Sequence, residues 1–161
     1  MGKAGKASAY RFVTAWDLPA PVARVWVELR DIGAWSKWWR GFERVELVSE
    51  GDESGVGAIL DLTSRGRLPY RLHYRLEIVK VEHEHLVEMV SSGELAGFGR
   101  WTLTPTDQGT HAEYLWDVTT TGWLFRALSP IARGTFSRNH DAVMEWGRQG
   151  MLQRLGATAD A

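Results

Sequence analysis

The sequence predicts an α+β domain: a curved seven-stranded antiparallel sheet, two short helices after the first strand, and a long C-terminal helix that encloses a cavity against the concave face. Three observations carry this. One alternating strand opens the chain, six alternating segments at hairpin spacing follow a pair of helical stripes, and a single helical-period stretch closes it. A lone amphipathic helix has only the sheet against which to bury its apolar stripe.

The first strand is read from Tyr10, Phe12, Thr14, Trp16 and Leu18, which alternate with residues that include Arg11 and Asp17. Pro19 and Pro21 end it, and Pro21 suits the first turn of a helix. Val22, Val25, Trp26 and Leu29 then fall at i, i+3, i+4 and i+7. Asp31 is placed to cap a second short helix, in which Trp35, Trp38 and Trp39 repeat the stripe before Gly41 closes it. Trp26, Trp35 and Trp38 are expected to pin the helix pair over the sheet, with Trp39 the freest of the cluster.

From Phe42 to Thr121 six strands are expected, divided at Gly51–Gly55, Gly66–Pro69, Glu82–Glu84, Gly93–Gly97 and Pro105–Gly109. The clearest alternation sets Tyr70, Leu72, Tyr74, Leu76 and Ile78 against Arg71, His73, Arg75 and Glu77. Ala112, Tyr114, Trp116 and Val118 form the inner side of the last strand. Ala58, Leu60, Leu62, Val87, Met89, Ser91, Trp101 and Leu103 complete the inner face. Ser129 and Pro130 suit the start of the last helix, and Gly156 its stop. About 25 residues span roughly 38 Å, enough to cross the sheet. The inner stripe is Phe136, His140, Val143, Met144, Gly147, Met151 and Leu155, with room for a ligand, or close helix-to-sheet packing, at Gly147.

At 161 residues the chain suits one domain, taken as residues 9–156 between a leader at 1–8 and a tail at 157–161. Its 19 basic and 20 acidic residues leave a formal charge of −1 with no block of like charge, which argues against nucleic acid as the partner. There is no cysteine, hence no disulfide, thiolate nucleophile or sulfur-based zinc site. No apolar run approaches the roughly 18 residues of a membrane span, and no signal peptide is read at the N-terminus, so a cytoplasmic location is expected.

The element order, together with Leu18, Ala20-Pro21, Val25-Trp26, Leu29, Asp31 and Trp35, Trp38-Trp39, resembles the START-like, helix-grip superfamily also called SRPBCC. Within it the chain is most similar to the bacterial polyketide cyclase/dehydrase branch, to which Gly97, Gly109-Thr110, Asn139-His140 and Met144 add likeness. The resemblance covers Ala9 to Gly156. It implies a helix-grip fold with an apolar internal cavity that holds a lipid, polyketide or other hydrophobic small molecule, and it does not imply catalysis.

The expected ligand-contacting set is Phe12, Thr14, Trp16, Leu60, Leu62, Leu72, Tyr74, Leu76, Met89, Ser91, Trp101, Leu103, Tyr114, Trp116, Phe136, His140, Met144 and Gly147. His140 is the one ionisable residue on the inner stripe. Two readings stay open for it: a proton-transfer group assisted by Tyr74 or Tyr114, or a ring tied to a backbone carbonyl or filling space. His83-Glu84-His85 lies at a hairpin tip where neighbours alternate sides, so no metal is expected, and no cofactor is implied. Arg65, Arg67, Arg71, Arg75 and Arg100 read as a solvated outer face.

Binding or transport of a hydrophobic, partly aromatic or lipid-like molecule is the leading functional expectation, in a monomer or homodimer. The alternatives are a polyketide aromatase/cyclase-like enzyme and a protein-interaction module.

Overall fold

The computed structural model describes residues 8–120 and 131–156. Its elements are β1 (Ser8–Leu18), α1 (Val22–Arg30), a 3-10 turn (Ile32–Ala34), α2 (Trp35–Trp38), β2 (Phe42–Ser49), β3 (Ile59–Ser64), β4 (Leu72–Glu82), β5 (Leu86–Gly93), β6 (Leu95–Thr106), β7 (Gly109–Thr120) and α3 (Ile131–Arg154). The seven strands form one antiparallel sheet in the order β1-β7-β6-β5-β4-β3-β2. Strands β1 and β2 therefore follow each other in the chain yet lie on opposite edges. The helix pair is the connection that carries the chain from one edge to the other, which is why it interrupts the run of strands.

Alternation decides which side of each strand is covered. On β1, Tyr10, Trp16 and Leu18 are buried while Arg11, Val13, Ala15 and Asp17 are exposed. On β4, Leu72, Leu76 and Ile78 are buried and His73, Arg75 and Glu77 exposed. On β7, Thr110, Ala112, Tyr114, Trp116, Val118 and Thr120 all face the core. Trp116 lies over Gly99 on the neighbouring strand, where a Cβ would meet the indole at 2.9 Å.

One sequence expectation about helix ends changes. Asp31 makes no side-chain capping bond; its carbonyl accepts from the Ala34 N–H at 3.0 Å and starts a 3-10 turn, which leaves α2 a single turn. The Ser129-Pro130 start of the last helix lies outside the described residues, as do the expected leader up to residue 7 and the tail at 157–161. At the other end Gly156, with φ of 75°, follows the helix as expected.

Helix α3 packs on the concave face in two different ways. Its C-terminal half comes so close to α2 that a Cβ on Gly147 would stand 2.3 Å from the Trp39 indole, and one on Gly150 2.2 Å from the Trp38 carbonyl oxygen. Buried Glu28 on α1 accepts from Arg24 and, at 3.0 Å, from Arg154, while Arg24 also donates to the Arg154 carbonyl at 2.9 Å. The N-terminal half rests on aromatic rings instead. Phe136 meets Tyr10 at 4.4 Å between ring centres, and His140 stacks on Phe12 at 4.0 Å with 11° between planes.

Candidate functional site: an aromatic cavity under the last helix

A cavity of about 60 Å³ lies between the N-terminal half of α3 and the sheet. Strands β3, β4, β6 and β7 supply Ser64, Leu72, Tyr74, Leu76, Leu95, Tyr114 and Trp116; α2, the residue after it and the start of β2 supply Trp35, Trp39 and Phe42. Gly66 borders it from the β3–β4 connection, and α3 closes it with Phe136, Asn139, His140, Val143 and Met144. The rings run in series: Trp101 to Tyr114 at 4.6 Å, Tyr114 to Trp116 at 5.8 Å, and Trp116 to Tyr74 at 6.1 Å.

Of the residues named from sequence, Leu72, Tyr74, Leu76, Tyr114, Trp116, Phe136, His140 and Met144 line this cavity. Phe12 stands one layer behind, under the His140 ring. Trp16 and Trp101 do not reach it; with Trp39 they form a wall, at 4.9 Å from each other and 5.3 Å from Trp16 to Trp39. Leu60, Leu62, Met89 and Leu103 are buried elsewhere in the core, Thr14 is half-buried on β1, and the Ser91 hydroxyl donates to the Leu95 carbonyl.

Two expectations are corrected here. Trp39 is not free: it is 2% exposed, and its indole N–H donates to the Val143 carbonyl at 2.7 Å. Gly147 leaves no room for a ligand, because the space a side chain would take there holds that same indole. The missing side chain at Gly147 serves close packing.

The titratable groups of the cavity are few, and burial shifts each toward its uncharged form. Burial pushes the Tyr74 phenol up to about 12, against a small opposing effect of its hydrogen bond with Ser64. Tyr114 is raised in the same direction, by burial first and by Tyr74 second. His140 goes the other way, down to about 4, because desolvation of the imidazolium outweighs the Asp141 carboxylate. That carboxylate stands 3.7 Å from Nδ1, beyond hydrogen-bonding distance, and neither ring nitrogen has a partner among the described residues although the side chain is only 10% exposed. At neutral pH His140 is an uncharged imidazole, with one donor and one acceptor unmet.

Trp35, Trp39, Phe42, Ser64, Gly66, Leu95, Asn139 and Val143 belong to the cavity wall and were not among the expected contacts. Asn139 was legible, since it lies three residues after Phe136 and four before Val143 on one helical stripe. Its Oδ1 accepts from the Leu68 N–H at 3.2 Å and ties α3 to the β3–β4 connection. Gly66 was not legible: its position under Asn139 depends on a contact across some seventy residues of chain. No group of His, Cys, Asp and Glu able to hold a metal occurs among the described residues, and none of their helices is long and apolar enough to cross a membrane.

A family model described as polyketide cyclase/dehydrase and lipid transport matches residues 10–159. The chain belongs to this family. It therefore sits in the polyketide cyclase branch of the SRPBCC helix-grip superfamily, and its sheet and helices are those of the helix-grip fold. Among solved structures, TTHA0849 from Thermus thermophilus is 17% identical, with 91% of this chain and 98% of that one covered and a TM-score of 0.67. Zhui aromatase/cyclase from Streptomyces sp. R1128 is 14% identical over 93% of this chain and 96% of its own, with a TM-score of 0.65. The di-domain ARO/CYC protein BexL is 17% identical with a TM-score of 0.65; 89% of this chain aligns, and it spans about half, 50%, of that longer protein. These likenesses concern the fold. No curated protein sequence matches the chain.

Proposed function

We propose that this protein binds a flat, hydrophobic small molecule under the N-terminal half of α3 and carries it without transforming it. One observation carries the reading: a nine-tenths buried imidazole with two unmet hydrogen-bonding nitrogens faces a mostly apolar, aromatic-lined cavity. A buried polar group without a partner costs about 1–3 kcal/mol, and a ligand hydroxyl or carbonyl recovers that cost. The rings of Tyr74, Tyr114 and Trp116 offer faces for stacking. At about 60 Å³ the cavity is roughly a fifth of the smallest typical ligand pocket, so entry requires side chains to give way. Phe136 and His140 are the ones positioned to do so, because their rings meet the sheet through other rings rather than through close backbone packing.

A second reading, an aromatase/cyclase-like enzyme, is favoured by His140, Tyr74 and Tyr114 lining one cavity. Their ionisation counts against it. Efficient proton transfer wants groups that titrate near the working pH, whereas burial drives the imidazole to about 4 and the Tyr74 phenol to about 12. No carboxylate among the described residues is hydrogen-bonded to the imidazole to orient it.

Native mass spectrometry of gently purified protein tests the proposal. A co-purifying small molecule, lost in Met144→Phe with the fold intact, is the expected result. His140→Gln should weaken its binding about tenfold or less; a loss of turnover of roughly 100-fold at unchanged affinity would establish the enzyme instead.

A further inference from the structure

The exposed arginines of the strands are mostly matched to carboxylates: Arg75 with Asp61, Arg100 with Glu88, Arg11 with Asp117 and Arg44 with Glu46. The rim of the cavity is different. Arg40, Arg65 and Arg67 line an open groove together with Glu43, Gly66 and Trp146, and Gly66 belongs to the cavity wall as well, so groove and cavity meet there. Glu43 is the one carboxylate in that groove among the described residues. It is already taken by Arg71, at 2.5 Å, and more loosely by Arg65, at 3.9 Å. Arg40 and Arg67 have no carboxylate partner among the described residues. The Arg40 guanidinium instead lies 4.4 Å from the centre of the Trp146 ring, which holds it in place while leaving its N–H groups free to donate. Three arginines thus line a groove beside the cavity whose one carboxylate among the described residues is already paired with Arg71 and Arg65, in a chain whose formal charge is −1.

We propose that the ligand is an amphipathic anion: its apolar body occupies the cavity, and its carboxylate or phosphate sits in the rim groove against Arg40, Arg65 and Arg67. This rests on the ligand-binding reading above and adds the chemistry of the head group. Guanidinium forks suit the paired oxygens of both groups, and a groove open to water lets the head keep part of its hydration while the body is buried. The neutral His140 remains available for a hydroxyl or carbonyl farther along the ligand.

Three probes sharing one body test this by calorimetric titration of the whole chain at pH 7: neutral 2-naphthol, 2-naphthoate and 2-naphthyl phosphate. At low ionic strength the anions should bind about tenfold tighter than the alcohol, and added salt should erode that margin. In the double variant Arg40→Gln, Arg67→Gln, both at exposed positions, the margin should fall to about twofold while 2-naphthol binds as before. Whichever anion has the larger margin identifies the head group. Equal binding of all three probes overturns the inference and leaves the cavity reading standing. An anion margin that survives the double variant also overturns it. Failure of all three to bind overturns the cavity reading together with the inference.

Discussion

The two halves of α3 lie on the same sheet, yet they are held in different ways. In the C-terminal half glycine brings backbone against indole, the Trp39 N–H reaches the Val143 carbonyl, and Glu28 joins Arg24 to Arg154. In the N-terminal half large side chains hold helix and sheet apart, and the space left is the cavity. Close packing and hydrogen bonding fix one half as an anchor. The other is supported mainly by ring contacts, which tolerate rearrangement better than a backbone-to-ring contact does. A single helix can in this way be both the clamp of the fold and the cover of a binding site.

The largest expected effect comes from removing the part both halves share. Trp39→Ala deletes a fully buried indole and its hydrogen bond, and should destabilise by about 4 kcal/mol in denaturant unfolding. A loss below about 1 kcal/mol would mean that the anchor does not depend on this contact.

Acid should act through the covering half. Since the His140 pKa is lowered on folding, to about 4 from 6.5, the unfolded chain binds more protons between those values, and stability falls as pH falls through that window. The contribution is up to about 3 kcal/mol, complete above pH 6.5 and gone below pH 4. His140→Phe keeps the stack on Phe12 and removes the titration, so its unfolding midpoint should drop less than that of the parent between pH 6.5 and 4. Parallel pH profiles for the two proteins would refute the buried neutral imidazole.

Two glycine substitutions sharpen the contrast within one helix. Gly147→Ala sets a methyl against the Trp39 ring and should cost about 2 kcal/mol. Gly134→Ala meets nothing nearer than the end of Arg138, at 4.0 Å, and should stabilise by about 0.5–1 kcal/mol through helix propensity. Equal signs for the two would erase the distinction between anchor and cover.

Period carried most of the fold into view. Strand alternation in Tyr10–Leu18 and Leu72–Ile78, and helical spacing from Phe136 to Leu155, are local patterns, and each reports which side of an element is covered. What period does not report is which covered residues touch. Gly147 reads equally as open space or as close approach until Trp39, more than a hundred residues earlier, is placed against it. Trp16 and Trp101 share a face with Tyr114, but the wall they build with Trp39 keeps them from the cavity. Arg65 and Arg67 read as part of an ordinary solvated face because the sequence does not show which arginines meet a carboxylate. Strand register joins Arg75 to Asp61, whereas Arg67, in the β3–β4 connection, has no such partner among the described residues.

Met144 and Met151 lie two turns apart on α3, one in the cavity wall and the other buried in the anchored half. Titrating 2-naphthol into protein labelled with carbon-13 at the methionine methyls therefore reads both halves at once. The account predicts that the Met144 resonance shifts or broadens with ligand while that of Met151 stays in place. Movement of Met151 alone, or of neither with binding established by calorimetry, would contradict it.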